Sequence, residues 1–288
     1  MQKSLATEPV WLETITPSTN IFSLHVKEIW NYRDLLVIWI RRDIFAVYKQ
    51  TLLGPLWFLI QPLLTTIAYI IIFSRVAGFS TMGMPPVLFY MSGIILWSYF
   101  SDCILKTSTF LKDSGAVLSK VYFPRLIIPL SIVLSSLVKL GIQLGLFVCL
   151  YIYFSFTTPG LPALSPYLFL LPILILMVGT LGFGMGMLVA SLTNKYKDLM
   201  HLLAFGVQIL MFISPVFFPV SQIKDEKYKQ LILANPMSGI IEAFRYIFTG
   251  KGYFDWGLLL FDAVFIGITL LVGIVVFNMI EKDFVDSI

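Results

Sequence analysis

Few residues in this sequence are of types that do chemistry, and two of them stand where a soluble protein would not place them. Lys139 interrupts an otherwise apolar run from Leu126 to Phe156, and Asp262 lies inside another from Gly257 to Ile280. An unpaired lysine in hydrocarbon costs about 2.5–3.5 kcal/mol or more, so such a residue marks an ion pair or a passage for polar groups. At about 1.5 Å per residue, Lys139 lies roughly 20 Å along its run and Asp262 roughly 9 Å in from Trp256. In a hydrocarbon core about 30 Å thick these are matching depths near the outer face, with Asp102 closer to the inner one. The expectation is a Lys139–Asp262 intramembrane pair, with a cation facing a passage as the competing reading.

Other chemistry is sparse. His25 and His201 are the only two histidines, and neither has a Cys, His or carboxylate at ligand spacing, so no metal site is expected. Cys103 and Cys149 lie in apolar runs and suggest no disulfide framework. No G-x-x-x-x-G-K-[ST] phosphate loop occurs; Gly250-Lys251-Gly252 lacks both the spacing and the hydroxyl. Gly182-Phe183-Gly184-Met185-Gly186 sits in the middle of an apolar run with no preceding strand, so it is not a nucleotide loop. A membrane-embedded glycosyl- or acyltransferase would need paired acid and base residues, and none stand out. Catalysis by this chain is not expected, nor any cofactor held by it.

The elements that must position these residues follow from composition. The chain has 288 residues, 58% hydrophobic and 12% charged, with a mean hydropathy of +0.89. A soluble domain carries about 25% charged residues, so the apolar surplus must face lipid. The net charge of +4 is too modest to argue for nucleic acid. A bilayer needs about 20 apolar residues per crossing. Uncharged runs place spans at Leu52–Phe73, Val87 to about Ile104, Leu126–Phe156, Tyr167–Leu192, Leu202–Val220 and Gly257–Ile280, with a Pro/Gly/Ser turn across 157–166. The fold expected is an all-α integral membrane protein of six transmembrane helices. Its parts are a cytoplasmic segment 1–27, an interface helix 28–50, a transmembrane domain 51–280 and a tail 281–288. With both termini inside, the inner segments hold 13 Lys/Arg and the outer ones six, which favours N-in and C-in. The first 30 residues contain no apolar core flanked by a cleavage site, so no signal peptide is expected.

Two segments are helical without spanning. Over 28–50, Lys27, Asn31, Asp34, Arg41 and Lys49 share one side at 100° per residue, and Ile29, Leu36, Ile40, Ile44 and Val47 another, with Ile38 and Phe45 misplaced on the polar side. Such a basic amphipathic helix lies in the membrane interface. In the outer stretch 221–256, Asn235-Pro236 splits two short amphipathic helices, suited to a re-entrant pair at a cavity mouth. Lys112 to Arg125 is the most polar inner connection. Gly141-x-x-x-Gly145 and Gly182-x-x-x-Gly186 fit close helix approach, inside one subunit rather than at a dimer seam. Trp57, Tyr69, Tyr90, Trp97 and Tyr99 are candidates for stacking on a sugar, with interface belt or packing as the plainer reading.

A set of motifs then carries a resemblance. Tyr48-Lys49-Gln50-Thr51-x-Leu53-Gly54-x-x-Trp57 is followed by Gln61-Pro62-Leu63, Lys120-Val121-x-Phe123-Pro124-Arg125 with Pro129, Tyr196-Lys197-Asp198, Asn235-Pro236 with Glu242 and Arg245, and Phe284-x-Asp286. In this order, from about Arg33 to Asp286, the chain resembles bacterial ABC-type polysaccharide export permeases, the membrane subunits for O-antigen, capsule and teichoic-acid chains. Val47 departs from the basic residue that often precedes Tyr-Lys-Gln in that family.

The resemblance implies a homodimer of this chain in the inner membrane, with two cytosolic ABC ATPase subunits that bind ATP and Mg, exporting an undecaprenyl-pyrophosphate-linked O-antigen or similar polysaccharide. A teichoic-acid exporter is the near alternative and a drug-efflux permease the farther one. Arg41, Arg42, Ser119, Lys120, Phe123 and Arg125 would couple to the ATPase, with Phe123 as an apolar knob and Pro124 ending a short helix. Asn235, Pro236 and Arg245 would form an outer gate.

Overall fold

The computed structural model describes residues 26–49, 52–118, 123–158, 165–193 and 198–285. Ser119 and Lys120, Gln50 and Thr51, Tyr196 and Lys197, and Asp286 therefore lie outside the described residues. Among the described residues all regular structure is helical. In chain order come α1 (Val26–Asn31), α2 (Arg33–Tyr48), α3 (Trp57–Tyr69), α4 (Pro86–Leu118), α5 (Ile127–Thr157), α6 (Leu171–Thr193), α7 (Leu199–Ile213), α8 (Glu226–Leu233), α9 (Pro236–Thr249) and α10 (Trp256–Val285).

Among the described residues five helical stretches are long and apolar enough to cross a membrane: Gly54–Val76, Pro86–Ser114, Ile127–Thr157, Pro166–Thr193 and Trp256–Met279. The first adds a 3₁₀ turn before α3 and a π-helical stretch, Ile70–Val76, after it. The expected span Leu202–Val220 is shorter than the sequence suggested. α7 has 15 residues and stops at Ile213, because Ser214 turns extended and Pro215 follows. A proline pushes the residue before it out of the helical region. The second span differs in the other direction: α4 continues as one helix through Lys112 and Asp113 to Leu118, so much of the expected polar connection is helix.

α4 is the central helix, packing on α3, α5, α6, α7 and α9, while α6 also packs on α10. The close approach of α6 is made by glycine. A Cβ at Gly179, Gly182 or Gly186 would overlap Tyr99, Cys103 or Thr107 of α4, and one at Gly184 would overlap the α10 backbone at Leu270. The expected packing role of Gly182 and Gly186 thus has its partner. Gly141 and Gly145 differ: nothing stands within 4 Å of a Cβ at either.

Two cores result. The larger joins α4, α5, α6 and α9 around Phe89, Phe100, Phe147 and Phe244. The smaller sits at the α2 end, where Trp39 packs with Phe110, Phe123, Ile127 and Phe277. As the helical spacing implied, Ile38 and Phe45 of α2 are exposed, while Trp39 is the residue that anchors the helix.

Candidate functional site

Charged side chains gather at two places within the fold. The first is at the α8–α9 end. Asn235 caps α9 by accepting the Met237 N–H at 3.1 Å, and Pro236 takes the first helical position, where its missing N–H costs nothing. The Asn235 amide also donates to Ser214 Oγ at 2.8 Å, tying α9 to the end of α7. α9 closes at Gly250, whose φ of 61° is the left-handed conformation that glycine adopts freely.

Within α9, Glu242 and Arg245 are 0% and 1% exposed and form an ion pair at 3.1 Å. Arg245 donates further to Ser92 Oγ at 3.2 Å, to the Val216 carbonyl at 3.0 Å and to the Phe89 carbonyl at 3.4 Å, with its guanidinium 3.8 Å from the Phe89 ring centre. Glu242 accepts from the N–H groups of Val220 at 3.4 Å and Tyr253 at 3.0 Å. Burial pushes the Arg245 pKa down to about 10 and Glu242 works against that shift, so Arg245 keeps its charge at neutral pH. The cluster fastens α9, α4, the stretch after α7 and the loop before α10 to one another. Its chemistry is that of a pin.

The second place lies between α4 and α5. Lys139 Nζ meets Asp102 Oδ2 at 2.7 Å and Ser98 Oγ at 3.2 Å, and Lys106 approaches the other oxygen of Asp102 at 3.5 Å. This corrects the expected partner of Lys139, which is Asp102 and not Asp262. α4 and α5 pack against each other, so depth can be counted back from the end of α4 and forward from the start of α5. Asp102 stands 16 residues from Leu118 and Lys139 stands 12 from Ile127, which brings them to nearly one level. The expected end of the second span near Ile104 hid this, because it set Asp102 at the inner face, whereas α4 runs on to Leu118. Asp262 is instead fully buried against Gly239 of α9, and neither carboxylate oxygen has a hydrogen-bond partner among the described residues.

A cavity of about 320 Å³ adjoins the second cluster. α2 contributes Arg42 and Asp43, α4 contributes Lys106, Thr109 and Asp113, and α5 contributes Ser135, Ser136 and Lys139. Arg42 is held by Asp43 at 2.8 Å and by stacking 3.6 Å from the Trp39 ring centre. Sequence reasoning picked out Lys139 and Arg42 but missed Lys106, Ser136 and the cavity. The i, i+4 spacing of Asp102 and Lys106 was the available signal.

The remaining candidates separate sharply. Tyr90, Trp97 and Tyr99 are 0%, 4% and 4% exposed within the larger core, so they do not line an open route in the subunit. They sit on α4, which is surrounded by neighbours. Trp57 is exposed, and Tyr69 is half-buried with its ring edge-on to Phe217 at 4.9 Å. Phe123 is not a free knob either: it is 5% exposed and packs 6.5 Å from Trp39, beneath α2. Pro124 precedes α5, its carbonyl accepting the Ile127 N–H at 3.0 Å, and the short helix it was expected to end falls on 119–122, outside the described residues. Arg41 is exposed and Arg125 half-buried.

Comparison with known proteins places this arrangement. The O-antigen export system permease protein RfbA of Myxococcus xanthus is 28% identical over 224 residues, 77% of this chain and 83% of that protein. A protein of the same name from Klebsiella pneumoniae is 26% identical over 254 residues, 88% of this chain and 94% of its own length. The apolar helices and these relatives make the chain a multi-pass integral protein of the bacterial inner membrane. The ABC-2 type transporter model matches residues 34–249, three quarters of the chain and everything from α2 through the Glu242–Arg245 pin, and the chain belongs to that family of transporter membrane subunits.

Proposed function

We propose that this chain is the permease subunit of an ATP-driven exporter that carries a lipid-linked, O-antigen-type polysaccharide across the inner membrane. The observation that carries this reading is the similarity to two O-antigen export permeases over most of the chain, matched by the ordered motifs from Tyr48 to Arg245. The cargo is attached to undecaprenyl pyrophosphate. Two copies of the chain assemble with two cytosolic ATPase subunits, which bind ATP and Mg and supply the energy that this chain, lacking a phosphate loop, does not. The chain is then no enzyme by itself.

In this arrangement both termini are cytoplasmic and the chain crosses six times. α7, about 22 Å long at 1.5 Å per residue, makes the fifth crossing together with the extended stretch that follows it. α2 lies along the cytoplasmic interface, where exposed Arg41 and the 119–125 segment meet the ATPase, and α8–α9 closes the outer end. The exposed apolar faces of α3 (Leu64, Ile67) and α7 (Phe205, Phe212) face lipid or the second copy.

The test is genetic. Deleting the gene from its host should remove surface O-antigen and leave lipid-linked glycan on the cytoplasmic side, with complementation restoring it. Undiminished surface glycan in the deletion strain contradicts the reading.

A further inference from the structure

The cavity between α2, α4 and α5 has no part in the reading above, yet it is built from polar groups that three separate elements bring together. On its α4–α5 side Lys106 and Lys139 share one carboxylate, Asp102, at 3.5 and 2.7 Å. Two ammonium groups against one acid leave a positive charge in excess there. Beside them Ser136 lines the cavity at 3% exposure, and its hydroxyl has no hydrogen-bond partner among the described residues. A buried hydroxyl left unpaired is costly, and a bound acceptor removes that cost.

At the mouth the charges balance differently. Asp43 is taken up by Arg42, while Asp113 accepts from Thr109 at 2.7 Å and is exposed to solvent. The side chains of Arg42 and Lys106 are 53% and 52% exposed, so the cavity reaches the surface beside the interface helix. Its size of about 320 Å³ lies at the lower end of ligand pockets, which run roughly 300–1,000 Å³.

We propose that this cavity binds a phosphoryl group carried on a lipid, entering from the cytoplasmic leaflet. Lys106, loosely held and half exposed, turns from Asp102 to a phosphate oxygen. Lys139 stays on Asp102 and neutralises it, which frees Lys106 for the phosphate, and Ser136 donates its free hydroxyl to the same group. Basic pockets between transmembrane helices on the cytoplasmic side take phosphate headgroups in this manner, and hydrogen bonds from ammonium to phosphate are among the strong ones. The proposal depends on the bilayer placement of the chain and stands whether or not the exported cargo is an O-antigen.

The test uses the full chain in neutral detergent, titrated calorimetrically with farnesyl pyrophosphate, dihexanoyl phosphatidylglycerol, inorganic pyrophosphate and, as the phosphate-free control, farnesol. At least one phosphate-bearing probe should bind while farnesol does not. Lys106→Gln and Ser136→Ala should each weaken that binding about tenfold, the worth of a hydrogen bond to a charged group. Ser136→Ala removes an unpaired hydroxyl and keeps the fold, so its loss of binding is not a loss of structure; the thermal midpoint of each variant, measured alongside, should match the parent. Binding of farnesyl pyrophosphate alone identifies an isoprenoid carrier, of phosphatidylglycerol alone a bulk membrane lipid, and of pyrophosphate alone a free phosphate. Farnesol binding as tightly as its pyrophosphate, absence of binding by every phosphate probe, or affinities unchanged in both variants would overturn the proposal. Surface O-antigen in a Ser136→Ala strain separates this result from the functional reading, since export can persist without the site and the site without glycan export.

Discussion

The two charge clusters use the same kinds of residues to opposite ends. Glu242 and Arg245 are wholly buried, and their hydrogen bonds reach α4, the stretch after α7 and the loop before α10. Lys139, Asp102 and Lys106 keep 15%, 22% and 52% of their side chains exposed, share a single acid and border a cavity with an unpaired hydroxyl. A buried pair is costly to desolvate and persists where surrounding hydrogen bonds complete it. A half-exposed cluster with an excess cation is cheaper to rearrange. The Glu242–Arg245 cluster therefore holds α9 in place, and the Lys139–Asp102–Lys106 cluster is able to exchange partners.

The largest effect should come from breaking the Glu242–Arg245 pin. Arg245→Ala leaves the Glu242 carboxylate buried without its cation and should destabilise the subunit by about 3–5 kcal/mol, read as a fall in thermal midpoint. Glu242→Gln together with Arg245→Met should recover part of that loss, because no charge then stays unpaired.

Next is the Lys139–Asp102 cluster. Lys139→Asp places two acids together in the bilayer and should lose about 2.5–3.5 kcal/mol, visible as poor assembly in the membrane. Adding Asp102→Lys should restore assembly, whereas adding Asp262→Lys should not. Rescue through Asp262 would contradict the pairing with Asp102.

A smaller effect is expected from Gly239→Ala, whose methyl group would run into the Asp262 carboxylate between α9 and α10. Overpacking of this kind costs about 1–3 kcal/mol, and Asp262→Ala in the same chain should relieve it. The smallest should be Arg41→Glu: an exposed position on α2 changes stability by no more than about 0.5 kcal/mol. Its effect should appear instead as weaker co-purification of the ATPase.

The spans were legible because uncharged runs of the right length leave a chain little else to do, and the two helices flanking Asn235-Pro236 were legible from one capping residue and one proline. The end of α7 was not, although Pro215 and Pro219 in Ser214-Pro215-Val216-Phe217-Phe218-Pro219 carried the signal; the run's apolar character masked it. The burial of Tyr90, Trp97 and Tyr99 could not be read from sequence, since a helix apolar on every side shows no face to assign. Lys139 was legible as an exception but its partner was not, because the second span was expected to end near Ile104 and α4 instead runs on to Leu118, which carries Asp102 deeper. Phe123 had the right type for a docking knob, and only Trp39 of α2 lying over it turned it into core.

The central claim is that this chain moves lipid-linked glycan only when a partner hydrolyses ATP. The most direct measurement reconstitutes the chain in proteoliposomes with and without its cognate ATPase and follows the appearance of lipid-linked O-antigen on the far leaflet. The account predicts transfer that requires both subunits and ATP, with no nucleotide turnover by this chain alone. Transfer without the ATPase, or ATP hydrolysis by the purified single chain, would contradict it.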